Sequence, residues 1–155
     1  MFKQKVLPLI IAIAIPLAVG GLAGVLTMNS MGFYETINKP PLAPPGFLFP
    51  IVWAILYTLM GISSYLIWKE HTAESRMALY IYAVQLILNF IWPLIFFNGR
   101  MYLFAFVWLL VLLATVIYMT VKFYEINKLA GLLQIPYILW LIFASYLNFA
   151  TFLLN

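Results

Sequence analysis

Long apolar runs alternate with short polar stretches along the whole chain. The runs cover about residues 6–27, 47–68, 77–97, 101–121 and 129–152. Each run is long enough to cross a bilayer as a helix, which needs ~20 apolar residues. The strands of a membrane barrel would instead give short segments of alternating polarity. The pattern therefore predicts an all-α membrane protein, in which five transmembrane helices form a single domain over residues 1–155.

Composition supports the membrane class and excludes several kinds of site. Hydrophobic residues make up 66% of the chain and charged residues only 8%, too little polar surface for a water-soluble domain of this size. The net charge of +4 is spread over the loops without a contiguous basic patch, so no nucleic-acid partner is expected. The absence of cysteine excludes disulfides, thiolate catalysis and cysteine metal sites, and no metal site is predicted.

Two features of the first run and the loops set the expected topology. The run at residues 6–27 is longer than the ~7–15 apolar residues of a signal peptide, so we interpret it as a retained span. Basic residues are concentrated at the N-terminus and in the loops after the second and fourth runs, which predicts a cytoplasmic N-terminus and an external C-terminus. The cytoplasmic group comprises Lys3, Lys5, Lys69, Arg76, Lys122 and Lys128, against Lys39 and Arg100 on the other side.

A proline-rich loop connects the first two predicted helices. Proline has no backbone donor and a fixed φ, so Pro40, Pro41, Pro44 and Pro45 cannot lie inside a regular helix. Loops as long as residues 28–46 are usually functional or disordered, and the prolines favour an ordered lid over the bundle.

Aromatic and amide side chains recur at helical spacing inside the predicted spans. Acidic, basic and histidine residues are absent from the deep parts of the spans, which argues against a proton relay and against haem-iron ligation. Amides in lipid cost free energy unless they are paired, so these faces should point into the bundle. The stripes are Trp53, Tyr57 and Gly61; Tyr82, Gln85, Asn89 and Trp92; Trp108 and Thr115; and Trp140, Ala144 and Asn148.

Two interpretations of these stripes are open. Each could provide only hydrogen bonds and aromatic packing between helices. Several such stripes in one small bundle, beneath a rigid loop, instead favour a ligand cavity. The first run also contains Gly20 and Gly24 at a spacing that permits close helix approach, either within the bundle or at a homodimer face.

Three segments resemble one known family. They are NKPPLAPPGFLFPIVWAILYTLMGISSYLIW at 38–68, QLILNFIWPLIFF at 85–97 and PYILWLIFASYLNFATFLLN at 136–155. In this order they resemble the translocator protein family, also called tryptophan-rich sensory protein, TspO/MBR or peripheral-type benzodiazepine receptor, in its bacterial form. The resemblance covers essentially the whole chain. It implies a five-helix bundle, often dimeric, that binds porphyrins such as protoporphyrin IX and synthetic ligands of the isoquinoline carboxamide and benzodiazepine type.

The resemblance also implies which residues line the pocket. Trp53, Asn89, Trp140 and Ala144 match the family's pocket positions, and the loop contributes weaker matches. Animal members carry a basic residue after the tyrosine of the fifth helix, whereas Tyr146 here has none, so the sequence gives little support for a sterol ligand. The predicted ligand-binding residues are Tyr34, Pro44, Trp53, Tyr57, Gln85, Asn89, Trp92, Trp108, Trp140, Ala144 and Asn148.

The expected function is porphyrin binding with a sensory or protective role in tetrapyrrole or oxidative stress. The porphyrin is a ligand in this interpretation, and no cofactor is expected. A second interpretation is light-dependent porphyrin breakdown, with Trp53 and Trp140 as the catalytic redox residues. A third is transport of a tetrapyrrole or another small molecule, which an uncharged aromatic interior disfavours. Membrane lipid is a further expected partner.

Overall fold

The computed structural model describes residues 2–155, with side chains from Val6 onwards, so the side chains of Lys3 and Lys5 lie outside the described part. Within it, five helical stretches are long and apolar enough to cross a membrane. The predicted fold class is therefore confirmed, and the chain is a multi-pass integral membrane protein. The helices are α1 (Phe2–Thr27), α2 (Met31–Tyr34), α3 (Leu48–Trp68), α4 (Ala73–Pro93), α5 (Tyr102–Ile126), α6 (Lys128–Leu132) and α7 (Ile135–Leu154).

Two helices extend into stretches that the sequence pattern assigned to loops. Helix α4 begins at Ala73 because Thr72 and Ser75 form a capping box, with each side chain accepting from the other's backbone N–H at 3.0 and 2.9 Å. Helix α5 continues through the charged residues to Ile126. It stops at Asn127, whose side chain accepts from the N–H of Ala130 at 3.1 Å and caps α6.

Helix α5 is the central element of the bundle. It packs against α4 on one side and α7 on another, and one face of it is almost completely buried. The spacing of three and four residues along that face is the helical period, so a single stripe of α5 forms much of the core. The stripe consists of Leu109, Leu112, Val116, Met119 and Phe123.

Helix α1 packs mainly on α3, and two glycines permit the close approach. A Cβ at Gly61 would overlap the α1 backbone at Ala12 and Ile13. A Cβ at Gly20 would overlap the ring of Tyr57 in α3. Gly20 therefore packs within its own chain. Gly24 is exposed, and a Cβ there would have no atom within 4 Å.

The proline-rich loop reaches across the bundle to the end of α7. The N–H of Asn38 donates to Oδ1 of Asn155 at 3.1 Å, and Nδ2 of Asn155 donates back to the carbonyl of Asn38 at 2.9 Å. The hydroxyl of Tyr146 donates to the carbonyl of Pro41 at 2.7 Å. These bonds fix the loop to the last turns of α7, at the same end of the molecule as the start of α3.

Candidate functional site

A chain of buried hydrogen bonds joins three helices in the interior. The phenol of Tyr57 donates to Oδ1 of Asn89 at 2.7 Å, and Nδ2 of Asn89 donates to the phenol oxygen of Tyr137 at 2.7 Å. Tyr137 in turn donates to Oε1 of Gln85 at 2.7 Å. All four side chains are buried. Mutual pairing removes the free-energy cost of burying amides and hydroxyls in an apolar environment.

Aromatic rings cover this hydrogen-bonded chain. The indole of Trp53 stacks on Tyr57 with centroids 5.4 Å apart, and it meets Tyr137 edge-to-face at 6.3 Å. The indole of Trp140 stands almost perpendicular to that of Trp53, at 6.3 Å and 88°. Offset and edge-to-face pairs of this kind are favourable because ring faces and edges carry opposite partial charge. We call Trp53, Tyr57, Tyr137 and Trp140 the aromatic site.

Local helix geometry explains how each helix presents its part of the site. Trp53 and Tyr57 are four residues apart on α3, so they share one face. Gln85 and Asn89 have the same spacing on α4. On α7, Tyr137, Trp140 and Ala144 fall at steps of three and four, and Ala144 is buried one turn beyond Trp140.

Helices α3 and α7 do not pack closely along their backbones, and aromatic side chains fill the space between them. Phe49 adds to this filling, with its ring 5.9 Å from that of Trp140. On the outer side the two helices leave a groove of about 430 Å³ with an almost wholly apolar lining. Its lining residues are Val52, Ile55, Leu56, Pro136, Leu139, Trp140 and Phe143.

Trp140 lies between the groove and the aromatic site and belongs to both. Its indole Nε1 is buried, yet it has no hydrogen-bond partner among the residues that the structure describes. A buried donor of this kind costs free energy unless a water molecule or a ligand accepts its hydrogen bond. The arrangement therefore offers a ligand ring faces for stacking and the buried N–H of Trp140 as a hydrogen-bond donor.

Two other predicted site residues form a separate polar contact. The indole N–H of Trp92 donates to Oδ1 of Asn148 at 3.0 Å, and Nδ2 of Asn148 donates to the carbonyl of Tyr102 at 2.8 Å. This contact joins α4, α5 and α7. Trp92 also stacks on Phe96, with centroids 5.1 Å apart.

The remaining predicted residues have other neighbours. The ring of Tyr34 packs against Phe96 at 5.9 Å and Phe97 at 5.1 Å, so Tyr34 belongs to the same outer aromatic cluster as Trp92. The indole of Trp108 donates to the carbonyl of Leu88 at 2.8 Å and ties α5 to α4. Pro44 is half-buried in the proline-rich loop.

Sequence reasoning missed Tyr137, which accepts from Asn89 and donates to Gln85. A signal was available, because Tyr137 lies three residues before Trp140 and seven before Ala144 on one helical face. The loop anchors Asn38 and Asn155 were also missed. They are 117 residues apart, and no local pattern links them.

The chemistry of the site is neutral. The network uses amides, phenols and indoles, and no group of three or more histidine, aspartate or glutamate residues could hold a metal ion within residues 2–155. The arrangement is suited to recognising a flat, largely apolar molecule by stacking and a few hydrogen bonds.

Comparison with known proteins gives one consistent result. The chain matches the TspO/MBR family over residues 12–154. It is 34% identical to the "Tryptophan-rich protein TspO" of Chlorobaculum tepidum, with 99% of each chain covered. It is 36% identical to the protein of the same name from Archaeoglobus fulgidus, covering 98% of this chain and 99% of the relative. It is 38% identical to the "Translocator protein" of Ovis aries, over 84% of this chain and 80% of the relative.

Proposed function

This chain belongs to the TspO/MBR family, and from that premise we propose that it is a membrane receptor for porphyrins with a sensory or protective role. The observation that carries the proposal is the buried, unpartnered indole N–H of Trp140 beside the aromatic site. A porphyrin such as protoporphyrin IX has a flat apolar face for stacking. Its carboxylate edge can accept the hydrogen bond that Trp140 has to offer.

The groove between α3 and α7 supports access from the membrane. A porphyrin partitions into lipid, and the groove of about 430 Å³ is apolar and falls within the usual size range of ligand pockets. The side chain of Trp140 separates the groove from Trp53. We propose that Trp140 rotates when the ligand enters, so that the macrocycle stacks on Trp53 in place of the Trp140 edge.

The proline-rich loop would close the outer end of this site. Its hydrogen bonds to Tyr146 and Asn155 hold it at the end of α7, the helix that carries Trp140. Proline limits the conformations available to the free loop, so little entropy is lost when it is held in place. The same site, with its aromatic walls and the free N–H of Trp140, suits synthetic ligands of the isoquinoline carboxamide and benzodiazepine type, whose carbonyl oxygen can accept that hydrogen bond.

Titration of protoporphyrin IX tests the proposal, with the porphyrin's own visible absorbance as the signal. We expect Trp140→Phe to weaken binding by roughly 10- to 150-fold, since a lost hydrogen bond to a charged group is worth roughly 1.5–3 kcal/mol. Trp53→Phe with Trp140→Phe should weaken it further. Trp68→Phe is the matched control, because Trp68 is exposed at the end of α3 and far along the helix from the site. Unchanged affinity in the double variant would exclude this site.

A second candidate function is light-dependent breakdown of the bound porphyrin. The supporting observation is the direct sequence of ring contacts from Trp140 through Trp53 to Tyr57, all of them oxidisable side chains. The excited porphyrin would take one electron from an indole, giving a porphyrin radical anion and an indole radical cation. Dissolved dioxygen would add to the radical anion, and cleavage of one meso carbon–carbon double bond into two carbonyl groups would return the electron to the indole radical cation, so that one porphyrin and one dioxygen are consumed and the indole is regenerated.

Illumination in air and under argon separates binding from breakdown. Catalysis predicts loss of the porphyrin bands only in air, and a slower loss in the variant without Trp53 and Trp140. Equal rates of porphyrin loss in the variant and the parent, at full porphyrin occupancy, would show that the two tryptophans do not take part in breakdown and would leave binding as the function.

Transport through the bundle receives less support, because the interior around Asn89 is filled by paired side chains. Flux into proteoliposomes in proportion to protein content would favour it.

A further inference from the structure

A second membrane-facing groove lies between α4 and α5, away from the aromatic site. Its volume is about 440 Å³, and its lining is mostly apolar. The hydroxyl of Thr115 in this lining donates to the carbonyl of Val111 at 2.8 Å, so it is already paired within its own helix. The lining residues are Tyr80, Ile81 and Val84 from α4, and Ala114, Thr115 and Tyr118 from α5. A groove of this shape suits an acyl chain.

Helical spacing places two basic residues one turn beyond the lining at one end of this groove. Residues 94–101 join α4 to α5, and the two helices pack as antiparallel neighbours, so the start of α4 lies beside the end of α5. Arg76 is one turn before Tyr80, and Lys122 is one turn after Tyr118, on the helical faces that line the groove. The ammonium of Lys122 is 5.5 Å from the centroid of the ring of Tyr118, which is one of the lining residues.

We propose that this groove, with Arg76 and Lys122, binds an anionic phospholipid. The phosphate would bridge the guanidinium and the ammonium, and one acyl chain would lie along Tyr80 and Tyr118. Basic residues between transmembrane helices at the cytoplasmic surface are a recognised basis of anionic lipid recognition. Tyrosines at the same level are typical of the membrane interface, where their hydroxyls can reach a headgroup.

An acidic neighbour does not remove the positive charge. Lys122 lies 3.7 Å from Glu125, but both side chains are substantially exposed. An exposed ion pair of this kind is worth little, whereas a lysine bonded to phosphate makes a strong charge-assisted contact. The groove between α3 and α7 differs in this respect. No basic residue lies one turn beyond its lining residues, so it lacks a headgroup site.

Native mass spectrometry of the full chain, released from detergent, tests the proposal. Phosphatidylglycerol is titrated against phosphatidylcholine with identical acyl chains, and tighter binding of phosphatidylglycerol is expected. Arg76→Gln and Lys122→Gln should each reduce its affinity by about fivefold, and the double variant by about 25-fold. Lys128→Gln is the matched control. It removes the same charge from a lysine that also lies over a tyrosine, 5.8 Å from the Tyr124 ring, but away from the groove.

Two further measurements distinguish binding of a phospholipid from binding of a free phosphate ion. Inorganic phosphate at millimolar concentration should not displace phosphatidylglycerol, because it lacks the chain. Ala114→Phe, which fills the groove and leaves both cations in place, should weaken phosphatidylglycerol binding by about fivefold. Equal losses in Lys128→Gln and Lys122→Gln would overturn the proposal, as would equal affinity for the two lipids or displacement by phosphate.

Discussion

The phenol of Tyr57 donates to Oδ1 of Asn89 at 2.7 Å, across the interface between α3 and α4. The amide nitrogen of the same Asn89 donates to Tyr137 on α7. One amide therefore joins three helices, and its pairing positions Tyr57 to stack with Trp53. The indole N–H of Trp140 is left as a buried donor without a partner.

Replacing Asn89 should destabilise the bundle. Asn89→Ala leaves the Tyr57 hydroxyl without its acceptor and the Tyr137 oxygen without its donor, at a cost of about 1–3 kcal/mol. Thermal unfolding in detergent should show a lower midpoint. Asn29→Ala is the control. Because Asn29 is exposed, this variant should have the same unfolding midpoint as the parent. A double-mutant cycle with Tyr57→Phe should give a non-zero coupling energy, and strictly additive effects would contradict the bond between Tyr57 and Asn89.

The two glycines of α1 should respond differently to substitution. Gly20→Ala places a methyl group against the ring of Tyr57, so the side chain must shift at a cost of about 1–3 kcal/mol. Gly24→Ala meets no atom within 4 Å and should not lower the unfolding midpoint in detergent. Equal midpoints for the two variants would show that the contact with Tyr57 contributes nothing.

The proposed homodimer face can be tested at the exposed glycine. If the α1 helices of two protomers pack against each other at Gly24, then Gly24→Leu should reduce chemical crosslinking of the protomers in membranes. The reason is that close helix approach needs small side chains. The unfolding midpoint should stay near that of the parent, since a Cβ at that position would meet no atom of another helix within 4 Å. Full crosslinking after this substitution would exclude α1 as the dimer face.

Freeing the proline-rich loop should speed ligand release. Tyr146→Phe removes the hydrogen bond to Pro41 and keeps the ring, and Asn155→Ala removes the bonds to Asn38. Each change should raise the dissociation rate of protoporphyrin IX several-fold and increase amide hydrogen exchange in residues 38–46, with little effect on global unfolding. Thr115→Val, in the distant α4–α5 groove, is the control. An unchanged dissociation rate despite faster exchange would show that the loop is not a lid.

The distribution of basic residues predicts the orientation. Reporter fusions should give a cytoplasmic signal at the N-terminus and an external signal at the C-terminus, because six of the eight Lys and Arg residues lie on the predicted cytoplasmic side. A cytoplasmic signal from the C-terminal fusion would reverse this topology. It would also move Arg76 and Lys122 to the external surface.

The sequence was most informative about single helices. Trp53 with Tyr57 and Gln85 with Asn89 were each predicted to share a face, and the structure brings both pairs into one cluster. The sequence grouped Trp92 with Asn89, yet Trp92 pairs with Asn148 in a separate contact. Periodicity identifies the face of a helix but does not say which residues of another helix stand at the same level.

The sequence by itself determined the membrane class, the five spans and the inner faces of α3, α4 and α7, but not that of α5, where the predicted Thr115 lines the membrane-facing groove. These follow from run length and helical period, both of which are local properties of the chain. Only the tertiary structure decided that Asn89 pairs with a tyrosine 48 residues away, and that Asn38 bonds to Asn155 across 117 residues. Such contacts depend on the rotation, crossing and relative height of packed helices, which are set by all the side chains at the interfaces together.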